Sequence, residues 1–307
     1  MSLCPIDAQW RAAHPLPAIG DGMDKEERGR ALVIGGSTFV PGALLLTGEA
    51  LLRAGAGKVQ LATVAPVAVP LGVRFPEAAV IALPEDDRGE IAGQIGGGAL
   101  AALQEAAASC GALIIGPGMS CRPHTAALVE ALLEAARKET PVLLDAGAMT
   151  ALSGRAAMLR ARGRQIVFTP HHGEFATLTD QDKEAIARDP QRAAADAARR
   201  FGAVVVLKAD ETIVAAPADA PADAGTEAAP SLHYESGAPG LGTAGSGDVL
   251  AGIIGGLLAR GADPVTAAGW GVWLHGEAGR AASDAIGPLG FLARDLLPHI
   301  PGLMARA

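Results

Sequence analysis

Short, continuously apolar runs alternate with longer alanine-rich stretches along most of this chain. The short runs predict buried strands, because a strand covered on both faces has no polar face to expose; they lie at 31–35, 58–63, 79–83, 112–116, 142–145, 165–168 and 203–208. Helical spacing predicts helices between them, at 43–54, 99–108, 125–137 and 191–200. This alternation predicts an α/β fold, a three-layer α/β/α sandwich around a mainly parallel sheet, and no linker divides the chain into two cores.

The segment 216–230, APADAPADAGTEAAP, interrupts the pattern. Its composition is low in complexity and rich in alanine, proline and aspartate, which predicts a loop between two further strands at 212–215 and 232–235. We interpret it as a tolerated surface insertion without chemistry.

A glycine-rich turn that opens a helix is the most informative chemical signal. Residues 237–256 read GAPGLGTAGSGDVLAGIIGG, in which Gly245-Ser246-Gly247 leads into Asp248 and then into apolar residues at helical spacing. Free N–H groups and the helix dipole favour an anion at such a turn. A phosphate bound there would lie beside Asp248, a candidate proton acceptor. An anion hole and a base are the basic requirements of phosphoryl transfer to a hydroxyl.

The same segment has an ordinary structural explanation, and by itself it does not decide between the two. An aspartate in the first turn stabilises a helix through the dipole alone. However, Gly252, Gly255 and Gly256 lie inside the predicted helix, where each glycine costs about 1 kcal/mol relative to alanine. They indicate that another element packs too closely against this helix for a Cβ atom.

Further candidate residues follow strand ends, where open parallel sheets bind ligands. Asp145 could bind a ribose hydroxyl, a metal or water, or could cap the next helix. In the run TPHHGE, one histidine is predicted to face the substrate and Glu174 to hold a magnesium ion through water. The turn 208–212 could bracket an adenine nucleotide or could be a hairpin with a solvated lysine. His275 follows Pro264 on a helix and is interpreted as a packing histidine.

Composition narrows the class of partner. The net charge is −8 and no cluster of lysine and arginine occurs, which argues against a nucleic-acid partner. No uncharged apolar run reaches the roughly 18–20 residues of a membrane span, and no secretion signal is visible. Three cysteines, at 4, 110 and 121, form no even framework. We therefore predict a cytoplasmic protein without a membrane partner.

Taken together and in order, these motifs resemble the ADP/ATP-dependent NAD(P)H-hydrate dehydratases of the ribokinase-like superfamily. The resemblance runs from Asp24 to Asp295 and rests on GGSTFVPGA, LRAGAGKV, IIGPGM, LLDAGAM, FTPHHGE, VVVLKADET, GTAGSGDVLAGI and LHGEAG. It implies an N-terminal extension over 1–23, one ribokinase-like domain over 24–307, and assembly as a homo-oligomer. The implied activity is repair of NAD(P)H hydrate: ADP or ATP with Mg²⁺ phosphorylates its hydroxyl, and loss of phosphate restores the nicotinamide ring.

The resemblance also implies roles for individual residues. Asp248 would deprotonate the hydroxyl, and the turn Gly245, Ser246 and Gly247 would hold the transferred phosphate. The positions implied to contact the hydrate are Ala43, Gly118, His171 and Asp248. The positions implied to contact the adenine nucleotide are Lys208, Ala209, Asp210, Glu211, Thr212 and Gly247. Glu174 would be the indirect magnesium residue.

Several positions depart from the family pattern. Val40 stands where many members have tyrosine, Gly147 and Thr150 replace aspartate and asparagine, Ala209 replaces glycine, and Ala238 replaces a frequent asparagine. The changes near 147 and 238 remove polar groups from the expected ligand surroundings. Two other hypotheses stay open: a kinase acting on a sugar or thiazole alcohol with the same Asp248, and a nucleotide-binding module without turnover.

Overall fold

One mixed sheet runs through the part of the chain that the computed structural model describes, residues 3–18, 20, 22, 24–163, 165–209, 211–217, 231–235 and 237–306. Its strands are β1 Leu3–Pro5, β2 Arg30–Ile34, β3 Lys58–Val64, β4 Ala78–Leu83, β5 Ala112–Ile115, β6 Val142–Leu144, β7 Ile166–Phe168, β8 Val204–Leu207, β9 Glu211–Ala215 and β10 Ser231–Glu235. Their spatial order is β1-β10-β9-β8-β7-β6-β5-β2-β3-β4. Strand β9 runs antiparallel to both of its neighbours, and the other pairs are parallel.

Helices cover both sides of this sheet, which confirms the predicted sandwich. In chain order they are α1 Ala8–Ala13, α2 Ala43–Arg53, α3 Ala65–Arg74, α4 Gly97–Ser109, α5 Thr125–Ala135, α6 Ala146–Thr150, α7 Ala156–Ala161, α8 His172–Thr179, α9 Lys183–Arg188, α10 Pro190–Phe201, α11 Ser246–Ala259, α12 Pro264–Ile286, α13 Ala293–Leu296 and α14 Ile300–Met304. Every residue of β5 to β8 is buried, as expected for strands covered on both faces. No helix in the described ranges is both long and apolar enough to cross a membrane.

Each predicted strand forms, with ends within one residue of the prediction. The predicted insertion falls mainly on 218–230, which lie outside the described residues, as does Asp210 of the predicted nucleotide turn. Strand β1 and helix α3 were not predicted. Strand β1 is a three-residue edge strand that pairs with β10, and α3 contains Pro70 in its interior, so neither has a regular sequence signature.

Helix α11 positions the site, and its glycines allow the close packing that the sequence predicted. A Cβ atom on Gly252 would lie 2.3 Å from the carbonyl oxygen of Thr47 in α2. One on Gly256 would lie 2.5 Å from the carbonyl oxygen of Leu51 in the same helix. Gly255 faces the sheet instead, where a Cβ atom would lie 2.7 Å from Cγ1 of Ile114. The backbone of α2 and the Ile114 side chain of β5 therefore both require glycine on α11, which packs closely between them.

Candidate active site

A cavity of about 580 Å³ lies where the chain leaves β6, β7 and β8 opposite the first turn of α11. Nine of the predicted site residues line it: His171, Glu174, Lys208, Ala209, Thr212, Gly245, Ser246, Gly247 and Asp248. Asp145 lines it as well. Glu211 is not part of its wall, and its carboxylate contacts His233 of the neighbouring strand. The structure thus brings together strand-end residues that are far apart in sequence.

The turn before α11 has the backbone geometry of an anion site. Gly245 has φ +86°, the left-handed region that favours glycine, and a Cβ atom there would lie 2.6 Å from Cδ1 of Leu46. The N–H of Ser246 already donates to the carbonyl of Thr243 at 3.2 Å. Within the described ranges the N–H groups of Gly245, Gly247 and Asp248 have no acceptor, so these three amides remain for an anion.

Asp248 has the electrostatics of a base at this turn. Burial raises the pKa of its carboxyl to about 7, and the negative charges of Asp145 and Glu174 act in the same direction. The ammonium group of Lys208 opposes them. A general base works best with a pKa near the operating pH, so the pKa of this carboxylate suits proton transfer at neutral pH.

Lys208 links the carboxylates of the cavity. Its Nζ lies 3.5 Å from Oδ1 of Asp145 and 3.9 Å from Oε2 of Glu174. A Cβ atom on Gly247 would lie 3.3 Å from the same Nζ, so the ammonium group lies directly beside the glycine turn. A phosphate at the free amides would therefore also meet this positive charge.

Asp145 does not cap the next helix, the structural alternative for this residue. It is 4% exposed, its side chain makes no cap hydrogen bond, and its Oδ1 accepts from the hydroxyl of Thr169 at 2.7 Å. The next residue, Ala146, has φ +47°, which is strained for a residue with a Cβ atom. The capping interpretation is therefore wrong, and the carboxylate faces Lys208 instead.

His171 and Glu174 hold each other at the start of α8. The Nδ1 of His171 accepts from the N–H groups of Gly173 at 3.0 Å and Glu174 at 3.3 Å, while Oε2 of Glu174 accepts from the N–H of His171 at 2.9 Å. This is a capping box in which a histidine takes the place of the usual serine. Because Nδ1 accepts, Nε2 carries a proton, and it lies 3.5 Å from Oε1 of Glu174.

The other two residues that the resemblance implied for hydrate contact, Ala43 and Gly118, lie outside this cavity but adjoin each other. A Cβ atom on Gly118, where φ is +70°, would lie 2.6 Å from Cβ of Ala43. Ala43 lies one helical turn from Leu46 and Thr47 on α2, and the hydroxyl of Thr47 donates to the carbonyl of Asp248 at 3.1 Å. The start of α11 thus lies between the cavity and the Ala43–Gly118 contact.

The departures from the family pattern fall in different places. Ala209 and Ala238 line the cavity. Gly147 does not: a Cβ atom there would lie 2.3 Å from the carbonyl carbon of Ser120, so a longer side chain is excluded by the neighbouring backbone. The glycine at 147 is therefore closely packed against backbone, whereas Ala209 and Ala238 make their parts of the cavity wall apolar.

Sequence reasoning gave no role in the site to several residues of the cavity wall, among them His275 and Tyr234. His275 makes a contact that the packing interpretation did not include, because its Nε2 lies 2.9 Å from Oγ of Ser246 in the glycine turn. Tyr234 donates its hydroxyl to Oε1 of Glu277 at 2.6 Å, and burial raises the pKa of the phenol. Tyr234 is the chain's single tyrosine, which is a weak signal, and nothing local in the sequence connects His275 with Ser246.

Comparison with known proteins identifies the family of the chain. The chain matches the family model of NAD(P)H-hydrate dehydratase over residues 31–302. It is 45% identical over 302 residues to the ADP-dependent (S)-NAD(P)H-hydrate dehydratase of Xanthomonas campestris, covering 98% of this chain and 96% of that protein.

Two solved structures are also similar. The ADP/ATP-dependent NAD(P)H-hydrate dehydratase from Bacillus subtilis, co-crystallised with ATP and Mg²⁺, has a TM-score of 0.73 at 27% identity, covering 95% of this chain and 94% of that one. A ribokinase-like superfamily protein from Enterococcus faecalis has a TM-score of 0.77 at 24% identity over 95% and 92% of the two chains, which confirms the ribokinase-like fold. The chain belongs to the NAD(P)H-hydrate dehydratase family.

Proposed function

We propose that this protein is an ADP- or ATP-dependent NAD(P)H-hydrate dehydratase, a lyase that phosphorylates the hydroxyl of the hydrate and then releases phosphate. The observation that carries the proposal is the first turn of α11, where the Asp248 carboxylate lies among uncommitted amides and beside Lys208. This arrangement joins a base to an anion-binding site, as phosphoryl transfer to a hydroxyl requires. The names of the relatives supply the substrate and favour the dehydratase over the kinase hypothesis.

The cavity wall contains both polar groups and apolar side chains, which suggests how a nucleotide lies in it. Lys208 and the glycine turn are among the polar groups. Leu241, Val272 and the ring of Tyr234 contribute carbon atoms to the wall. We propose that the phosphates bind at Lys208 and Gly247 and that the adenosine extends along Ala209 and Thr212 toward the apolar wall.

In the reaction we assign three roles to residues of this chain. Asp248 accepts the proton of the hydrate hydroxyl while that oxygen bonds to the terminal phosphorus of the nucleotide. The bond from this phosphorus to the bridging oxygen breaks, and AMP or ADP leaves with its electron pair. The amides of Gly245 and Gly247, with Lys208, stabilise the charge on the phosphoryl oxygens. The phosphate then leaves with the electron pair of the C–O bond, and loss of a ring proton restores the nicotinamide double bond. Ala43, Gly118 and His171 are proposed to contact the hydrate.

The charges of the cavity fit a magnesium–nucleotide complex. Among the described residues of the cavity wall, Asp145, Glu174 and Asp248 face one ammonium group, that of Lys208, which leaves an excess of negative charge. Mg²⁺ prefers oxygen ligands and keeps several waters beside one or two carboxylates. We assign Glu174, through water, and Asp145 to this ion, which would neutralise charge on the transferring phosphate.

The test is incubation of the protein with NADH hydrate, Mg²⁺ and either ADP or ATP. We expect recovery of the reduced-nicotinamide absorbance together with release of inorganic phosphate. The Asp248→Asn variant is expected to lose about 10²–10⁴-fold in turnover, because the base is removed, and to keep its affinity for ADP. No recovery with either nucleotide would overturn the proposal, and a stable phosphoester product would identify a kinase.

A further inference from the structure

We propose that His275 is a positioning residue that turns the Ser246 hydroxyl toward the transferred phosphate, making it a hydrogen-bond donor of the anion site; this inference rests on the function proposed above. Ser246 is the first residue of α11 and is 5% exposed. His275 lies in the middle of α12, and both residues line the cavity. The backbone N–H of Ser246 is committed to Thr243, so the contribution of this residue to an anion depends on its hydroxyl.

The two contacts of His275 determine which ring nitrogen carries the proton. Its Nε2 lies 2.9 Å from Oγ of Ser246 and 3.1 Å from the carbonyl oxygen of the same residue. A carbonyl oxygen can only accept a hydrogen bond, so a lone pair on Nε2 would face another lone pair. The proton is therefore on Nε2, which donates to the carbonyl and also faces the hydroxyl oxygen as a donor.

The position of this proton decides where the hydroxyl of Ser246 points. Because Nε2–H already faces Oγ, the serine proton cannot be donated to the imidazole and is directed elsewhere. In the opposite tautomer Nε2 would accept a hydrogen bond from the Ser246 hydroxyl, and that hydroxyl could then not donate to an anion. Fixing the ring as Nε2–H thus leaves the hydroxyl free to donate beside the amides of Gly245 and Gly247.

The surroundings of His275 keep this arrangement unchanged across the working pH range. Burial lowers the pKa of the imidazole to about 4, and the ammonium group of Lys208 contributes in the same direction, while the hydrogen bond to Ser246 opposes them. The ring is therefore neutral at pH 7, and it is not a proton donor or acceptor in the reaction. Its contribution is the orientation of Ser246.

Two substitutions separate positioning from simple packing. His275→Leu removes the donor, whereas His275→Gln places an amide N–H near the position of Nε2. We expect His275→Leu to lower kcat by about 10–100-fold, less than the loss of a whole anion-site donor because the hydroxyl is still present, with less than a fivefold rise in the KM of the nucleotide. His275→Gln should recover most of kcat. Equal losses in both variants, or unchanged kcat in His275→Leu, would overturn the inference.

A double-mutant cycle with Ser246→Ala tests whether His275 acts through the serine. If it does, Ser246→Ala should lose at least as large a factor, and adding His275→Leu should lower kcat by less than about threefold more. Multiplied losses in the double variant would show that His275 acts by another route. Thermal unfolding of each variant, compared with its kcat, identifies any loss that follows from instability alone.

A binding measurement keeps this inference separate from the proposed reaction. Calorimetric titration with ADP and AMP, in the presence of Mg²⁺ and without hydrate, measures how much the terminal phosphate of ADP contributes to affinity. We expect His275→Leu and Ser246→Ala each to reduce the preference for ADP over AMP by about threefold or more, without adding to each other. That result supports the positioning role even if the wild-type protein does not restore NADH. An unchanged preference in both variants overturns it.

Discussion

The electrostatics of a single residue, Asp248, predict the pH dependence of the reaction. With its pKa raised to about 7, kcat/KM is expected to fall about tenfold per pH unit below that value and to level off above it. Two variants should shift this fall of kcat/KM at low pH, the acid limb of the pH profile, in opposite directions. Asp145→Asn removes a neighbouring negative charge and should shift it to lower pH, whereas Lys208→Met should shift it to higher pH. Shifts in the same direction would contradict the assignment of the limb to Asp248.

The same residue is expected to reduce the stability of the fold at high pH. The pKa of Asp248 is about 7 in the folded protein against an ordinary value of 3.8. Protonation of this carboxyl therefore stabilises the folded state fully below pH 4, and the benefit is lost as the pH rises through 7. Asp248→Asn should raise the free energy of unfolding by about 1–2 kcal/mol at pH 8 and leave it unchanged near pH 4. Denaturant titrations at the two pH values provide the measurement; a difference independent of pH would contradict this account.

At the scale of elements, the contact between α2 and α11 decides whether the first turn of α11 is held in place. Alanine is the better helix former by about 1 kcal/mol, but at Gly256 its Cβ atom would meet the backbone of α2 at 2.5 Å. Gly256→Ala is therefore expected to lower the free energy of unfolding by about 1–3 kcal/mol. Gly98→Ala is the matched control, because this α4 glycine has nothing within 4 Å of an added Cβ atom and should be neutral or slightly stabilising.

The accuracy of the predictions differed between elements for physical reasons. The central strands could be predicted because burial on both faces makes every position apolar, as in the sequence VVVL of β8. Helix α3 could not, since Pro70 in its interior argues against a helix unless tertiary packing compensates for it. Strand β1 is stabilised by pairing with β10, a contact that no local pattern encodes.

At the scale of the molecule, the site depends on contacts between distant parts of the chain. The sequence predicted Asp248 and its glycine turn because both belong to one local motif. It did not predict the ion pair of Lys208 with Asp145, nor the bond from His275 to Ser246, because each joins residues on different elements. Local patterns thus identify the candidate residues of the turn, and the topology supplies the contacts that join them to other elements.

The N-terminal segment contributes to the whole molecule rather than to the site. Trp10 of α1 is 6% exposed, and its ring packs against Gly269 of α12, where an added Cβ atom would lie 2.3 Å from Cη2 of the ring. Nε1 of Trp270 donates to the carbonyl of His14 at 2.7 Å. Trp10→Ala should therefore lower the free energy of unfolding by about 3–5 kcal/mol. None of the described residues of this segment lines the cavity, so the Kd for ADP should change by less than about threefold.

Val69→Ala is the control for that comparison, because Val69 is 73% exposed and its truncation should change the free energy of unfolding by no more than about 0.5 kcal/mol. Chemical denaturation and ADP titration of the two variants give both quantities. If Trp10→Ala weakened ADP binding while leaving stability intact, the N-terminal segment would have to be counted as part of the site. A loss of stability with unchanged ADP affinity would show that it serves the core, by completing the packing around α12.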